Sequence, residues 1–226
     1  MCIRDRVSEA DERARVEPVV AGLVAAGARV SVDTARASVA AAALDAGAVL
    51  VNDVSGGADP EMFPLIAERG VPYVLMHSRG PSADMISRAV YRDLLREIIV
   101  ELGVKMEAAR AAGIAEDQIV LDPGVGFAKT PDHNWTLLAM LDKLFALGRP
   151  LLVGTSRKSF LGSLLADVDG TPRPVDERDD ATQATTALVA AAGAWAVRVH
   201  AVRPAADAVR VAQAMLTARR AAVRAT

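Results

Sequence analysis

The stretch Ile119–Thr130, IVLDPGVGFAKT, decides how the rest of the chain is read. Ile119, Val120 and Leu121 carry no polar side chain, the pattern of a short strand buried on both faces. The run ends in a carboxylate, Asp122, and then in a turn. Pro123 fixes its own backbone there, while Gly124 and Gly126 allow a positive φ or a close approach by a ligand. Phe127 and Lys129 follow. A carboxylate at the C-terminal end of a parallel strand stands where α/β barrels carry their chemistry. The plain alternative is an Asp that caps the backbone N–H groups of the next element. Two phosphate-loop patterns are excluded. A Walker loop needs Gly directly before Lys, and Ala128 stands there; a dinucleotide fingerprint needs a third Gly where Lys129 stands.

Outward from this stretch the same unit recurs. Toward the N-terminus, the spacing predicts strands over Arg29–Val32, Ala48–Val51 and Pro72–Met76, ending at Asp33, Asn52-Asp53 and His77. Helices follow them over Ala35–Ala46, Pro60–Glu68 and about Asp84 to Ala112. Before all of these, Ser8 with Asp11 reads as a variant capping box, opening a helix whose face is Val16, Val19, Val20 and Leu23. Toward the C-terminus, a helix is predicted over Asp132–Leu147 and a strand over Pro150–Gly154, ending in Thr155-Ser156-Arg157-Lys158. A polar insert, Asp167–Asp180, and a helix over Ala181–Ala192 come next. Trp195–Val199 is the last strand, ending at His200, and a helix from Pro204 to Ala221 closes the pattern. About six βα units in strict alternation, without hairpin signals, predict a parallel sheet. An eight-unit TIM (β/α)₈ barrel needs about 250 residues. The expectation is therefore an α/β barrel lacking its first two units, rather than a doubly wound sheet, whose glycine-rich first turn is missing.

The composition fits that architecture. The chain has 226 residues, 52% of them hydrophobic and only 4% aromatic, which suits one α/β domain with many packed helices. A net charge of −2 argues against a nucleic-acid surface. The single Cys, at position 2, excludes a disulfide framework and a thiolate metal site. With no signal-peptide layout and no apolar run of about 18 residues, the expected setting is cytoplasmic, away from the membrane. Residues 1–6, MCIRDR, join no pattern and are read as a non-native start, leaving 7–226 as the barrel domain.

The six strand ends gather Asp33, Asn52, Met76-His77, Asp122, Ser156-Arg157-Lys158 and Arg198-His200. Any one could be a helix cap or a solvated rim charge; that every strand end should be so occupied points to a ligand. Two carboxylates and an amide suit a flat heterocycle rich in N–H donors, because a carboxylate such as Asp122 accepts two parallel N–H bonds. Lys158, Arg198 and His200 make the same mouth positive, with Arg198 as the fork donor for a phosphate or diphosphate.

The segments SVDT, VNDVSGG, LMHSRG, LDPGVGFAK, GTSRKSFLG and VRVH, in this order and spacing, resemble the dihydropteroate synthases of folate biosynthesis. The likeness runs from Val7 to the C-terminus, and the wording GFAKTPDHNW resembles actinobacterial members most. The resemblance implies a transferase that joins 6-hydroxymethyl-7,8-dihydropterin diphosphate to 4-aminobenzoate, releasing diphosphate and using Mg²⁺. By position, Asp33, Asn52 and Asp122 would hold the pterin edge, with Lys158 reaching the ring and Met76 packing on it. Arg198 and His200 would bind the diphosphate; Phe127 and Ser159 would line the aminobenzoate site, which sulfonamides would share. Lys158 and Asp122 are the expected catalytic pair. The resemblance also implies a homodimer through the last helices, where Val209, Val211, Ala214 and Met215 offer apolar surface.

The sequence departs from the family in what precedes Val7. The family's strand and loop with an Mg²⁺-binding Asn, and the next loop with its Thr-Arg-Pro segment, have no counterpart, so no metal ligand is expected in this chain. Ala201 stands after His200 where many members have Asp. Open sheet edges left by missing strands predict an aggregation liability. Two rival readings are a non-catalytic pterin-binding remnant and a methyltetrahydrofolate-dependent methyltransferase. The second has no reason to carry SRKSFLG or the Arg-X-His pair. His77 and His133 read as structural, since three scattered His make no metal site.

Overall fold

The computed structural model describes residues 7–80 and 85–224; residues 1–6, read above as a non-native start, lie outside them. Helix α1 (Glu9–Ala25) opens on Ser8, whose side chain accepts from the Asp11 N–H at 3.1 Å. Among the described residues six strands then alternate with helices: β1 (Ser31–Asp33), α2 (Ala37–Asp45), β2 (Leu50–Asp53), α3 (Met62–Arg69), β3 (Tyr73–Met76), α4 (Leu94–Ala111) and β4 (Ile119–Asp122). The chain continues through α5 (Pro131–Ala139), β5 (Leu152–Val153), α6 (Ser159–Leu164), α7 (Asp179–Ala192), β6 (Ala196–Val197) and α8 (Val202–Arg224).

All the pairings are parallel, and neighbours in the sheet are neighbours in sequence. β4 joins β5 through a single bridge, Leu121 to Leu151, with the Leu121 N–H donating to the Pro150 carbonyl at 2.8 Å. Every residue of β3 and of β4 is buried, as their near-continuous apolar runs require of strands covered on both faces. Around them Ile66, Ile98, Leu102, Leu137, Leu144, Phe160 and Val189 form one continuous core drawn from the surrounding helices. Because the strands are parallel, their C-terminal ends face one way, and the polar strand-end residues share that face.

Some predicted boundaries move. The long helix begins at Leu94, not near Asp84. Asp93 caps the Arg96 N–H at 3.1 Å, and Glu97 accepts the Asp93 N–H at 2.9 Å, so the two side chains fix the start there. The predicted start itself, 81–84, lies outside the described residues. The helix over Asp132–Leu147 divides, because Met140 leaves helical geometry (φ −119°, ψ 31°) and a 3₁₀ segment, Leu141–Leu147, follows α5. The face of α1 is also corrected. Val16, Val20 and Val24 pack against the core, one turn apart, while Val19 and Leu23 are 59% and 46% exposed. The last helix starts two residues early and carries Pro204 in its first turn, where no N–H bond is lost.

Candidate functional site

The centre of the strand-end face is a three-residue contact. Arg198, just past β6, donates from Nη2 to Asp122 Oδ2 at 2.9 Å and from Nη1 to Asn52 Oδ1 at 3.1 Å. Gly154 lets the guanidinium reach them: a Cβ there would come within 3.2 Å of Nη2. Asp122 is 1% exposed and its other oxygen accepts the Gly124 N–H at 2.8 Å. Asn52 is also buried, yet its Nδ2 meets no acceptor. A buried amide donor without a partner is costly, and such an atom marks a place where a ligand oxygen or ring nitrogen gains a bond. Sheet register sets Met76 beside Asp122 and Asp33 beside Asn52. Met76 is buried and Asp33 half-buried.

Lys158 approaches from the other side. Its ammonium donates to the Val125 carbonyl and lies 5.0 Å from the centre of the Phe127 ring, so Lys158 and Phe127 share one wall. Gly126, at φ +78°, is needed for this contact, since a Cβ would fall 2.9 Å from Lys158 Cδ. Ser159, the first residue of α6, is exposed. His200 pairs with Ser156 instead of standing alone: Nδ1 lies 2.8 Å from the Ser156 hydroxyl, which also accepts the His200 N–H at 3.2 Å.

The turn bearing Ser156 and Lys158 is held from α7. Arg157 adopts a left-handed φ of +57°, which a non-glycine residue keeps only when its surroundings insist. Its guanidinium grips Asp179 with two bonds of 2.8 and 2.7 Å, and its N–H donates to Thr182 Oγ1 at 3.1 Å. The hydrogen bonds that Arg157 donates to Asp179 raise the Arg157 pKa and lower that of Asp179.

Sequence reading passed over a second polar layer behind this face. Asp53, fully buried, accepts from the Ser55 N–H and hydroxyl, the Gly57 N–H and the Tyr73 hydroxyl. Burial, with the Asp53 charge beside it, raises the Tyr73 pKa. Lys105 ties the loop after β2 to the end of β3 through the Ser55 and Met76 carbonyls, both at 3.3 Å, and burial lowers its pKa. His77 lies between Lys129 (Nδ1 to Nζ, 3.0 Å) and Glu101 (Nε2 to Oε2, 2.9 Å). Burial, then the nearby cations Lys129, Lys105 and Arg79, push His77 down to about 2, so its ring is neutral. Arg79 pairs with Glu97 at 2.7 Å and with Glu101, and stacks 3.8 Å over the Tyr91 ring. The Asn-Asp doublet and the Lys closing GFAK were the available signals; the sequence did not say which faced the site. Among the described residues no three His, Cys, Asp or Glu gather as metal ligands. No step is derived through Mg²⁺.

Comparison with known proteins identifies the family. The family profile described as pterin binding enzyme matches residues 2–200. The chain is 53% identical over 209 residues to the dihydropteroate synthase of Mycobacterium leprae, spanning 92% of this chain and 74% of that one. The Xanthomonas albilineans dihydropteroate synthase solved with 7,8-dihydropteroate superposes with a TM-score of 0.84 at 36% identity, over 93% of this chain and 76% of that one. The Thermus thermophilus enzyme solved with 4-aminobenzoate gives 0.83 at 39%, over 92% and 78%. An α/β parallel fold, a buried carboxylate-amide edge and this degree of likeness lead to one conclusion: the chain belongs to the pterin-binding enzyme family, with the dihydropteroate synthases.

Proposed function

We propose that the chain condenses 6-hydroxymethyl-7,8-dihydropterin diphosphate with 4-aminobenzoate, giving 7,8-dihydropteroate and diphosphate. The observation that carries this reading is the contact of Arg198 with Asp122 and Asn52. A guanidinium presents parallel N–H donors, the same pattern as the amino-amide edge of a pterin. The residues that bind one can bind the other, and Asn52 Nδ2 remains as a donor for a ring acceptor. On this reading Arg198 yields its place to the pterin and turns to the diphosphate, beside His200. Asp33 and Met76 complete the pterin pocket, Lys158 reaches across the ring, and Phe127 and Ser159 border the aminobenzoate.

The chemistry follows from charge. The C–O bond to the diphosphate breaks with its electron pair, and the methylene carbon becomes cationic, its charge spread into the pterin. Asp122 and Asn52 Oδ1 lie ready for that charge, and preorganised dipoles and charges stabilise a developing ion without reorganising. The arylamine then attacks the methylene carbon and loses a proton. No side chain is assigned as its base.

Six parallel strands in sequential order support reading the sheet as part of a (β/α)₈ barrel, with 7–226 as a single incomplete barrel domain. Val211 and Met215, 59% and 70% exposed on α8, suit a homodimer formed through that helix. Sulfonamides would compete at the Phe127 wall. No helix among the described residues is long and apolar enough to cross a membrane, in keeping with a cytoplasmic setting.

Calorimetry with the pterin diphosphate on the wild type and Asp122→Asn tests the assignment. Wild-type binding that the variant weakens by about a hundredfold, the scale of a lost charge-assisted pair, is expected. A folded wild type that binds nothing overturns it. Binding without turnover of 4-aminobenzoate would instead support the non-catalytic reading.

A further inference from the structure

The proposed reaction leaves unused a well-connected cation in the loop that carries Asp122 and Phe127. Lys129 closes the Asp122–Lys129 loop and folds back under it, with Nζ 3.0 Å from His77 Nδ1, 3.1 Å from the Gly124 carbonyl and 3.1 Å from the Phe127 carbonyl. An ammonium has three N–H donors, and here it meets three acceptors. The third is an acceptor because of Glu101. That carboxylate lies 2.9 Å from His77 Nε2 and can only accept, so the ring proton sits on Nε2 and leaves Nδ1 with its lone pair. A neutral amine would have two donors and could not satisfy the same three groups.

The loop above needs such a fastening. Ala128, between Phe127 and Lys129, has φ +47° without being glycine, and its carbonyl is held by the Tyr91 hydroxyl at 3.0 Å. Gly124 passes so close to β3 that a Cβ would lie 2.0 Å from the His77 carbonyl oxygen. The chain is therefore pressed down at Gly124, strained at Ala128 and pinned between them.

We propose that Lys129 is a positioning residue, whose ammonium fastens the Gly124–Phe127 turn to His77 and thereby sets the Phe127 ring at the aminobenzoate wall. The proposal rests on the functional reading above for what Phe127 touches, but not for the fastening itself. The titratable and charged groups facing the ammonium are His77 and Arg79 from β3 and its loop, Glu101 from α4, Asp122 from β4, and Lys158 from the turn before α6. Burial brings the Lys129 pKa down to about 7, opposed by Asp122 and aided by Lys158 and Arg79. The fastening therefore loosens as the pH rises through neutrality.

The test compares the wild type with Lys129→Met by two readouts. In the first, the Met variant raises the KM or Kd for 4-aminobenzoate about tenfold while that for the pterin diphosphate changes less than about threefold. Equal loss for both ligands, or none for either, overturns the proposal. In the second, amide-exchange protection at Gly124–Phe127 is followed between about pH 6 and about pH 8, either side of neutrality. Protection that falls across this range in the wild type supports the fastening; protection constant in the wild type overturns it. This arm needs no variant to fold and no ligand to bind. If the wild type binds neither substrate, the functional reading fails, and the exchange profile still decides the role of Lys129.

Discussion

Asn52 and Asp53 are neighbours in sequence and serve opposite sides of the sheet, because successive strand residues alternate faces. Asn52 looks toward Arg198, whereas Asp53 turns back to gather four donors, Tyr73 among them. Tyr73→Phe removes one of those donors and leaves a buried carboxylate oxygen short of a partner. The expected cost is about 1–3 kcal/mol, read as a lower urea midpoint with an unchanged slope. Pterin-diphosphate affinity should hold, since the hydroxyl points away from the site. A doublet of polar residues at a strand end was legible from sequence. Which of them was structural depended on Tyr73, twenty positions away. Lys129 escaped for the same reason, as its partner His77 lies 52 residues earlier.

At the scale of elements, α7 acts on the site without touching the proposed substrate. It grips the Arg157 turn through Asp179 and Thr182, and that turn carries Ser156 on one side and Lys158 on the other. The Arg157–Asp179 pair is about one-third exposed on each side, so water screens it and its direct worth to stability is small. Its effect on geometry is larger. Asp179→Ala frees a residue held at left-handed φ, and pterin-diphosphate affinity should drop about tenfold with little change in melting temperature. Unchanged affinity would show that the turn holds itself. Sequence periodicity located every strand and the order of the helices. It erred at the start of α4, where hydrogen bonds of Asp93 and Glu97 set the boundary, and at Met140 after α5, where helical geometry is lost. On α1 it placed Val16 and Val20 correctly but took Val19 and Leu23 for Val24, since only packing against α2 and the core selects among neighbouring apolar residues.

At the scale of the whole molecule, buried His77 ties stability to pH. Its folded pKa of about 2 lies below the ordinary value of 6.5, so through this window the unfolded chain binds the extra proton. Stability is therefore fully present above the unfolded pKa and declines as pH falls below it, by up to about 1.4 kcal/mol per pH unit for one proton. Urea titrations from neutral pH downward should show this slope in the wild type, and a shallower one in His77→Gln, which has no proton to bind there. A second global property follows from the order of the strands. Each new βα unit lands beside the one made before it, so the sheet can grow during synthesis from the N-terminal end without waiting for distant partners. The exception is the bond from Arg198 to Asn52, which spans 146 residues. That bond forms only once β6 is in place, so the strand-end face is the part of the fold that is completed last.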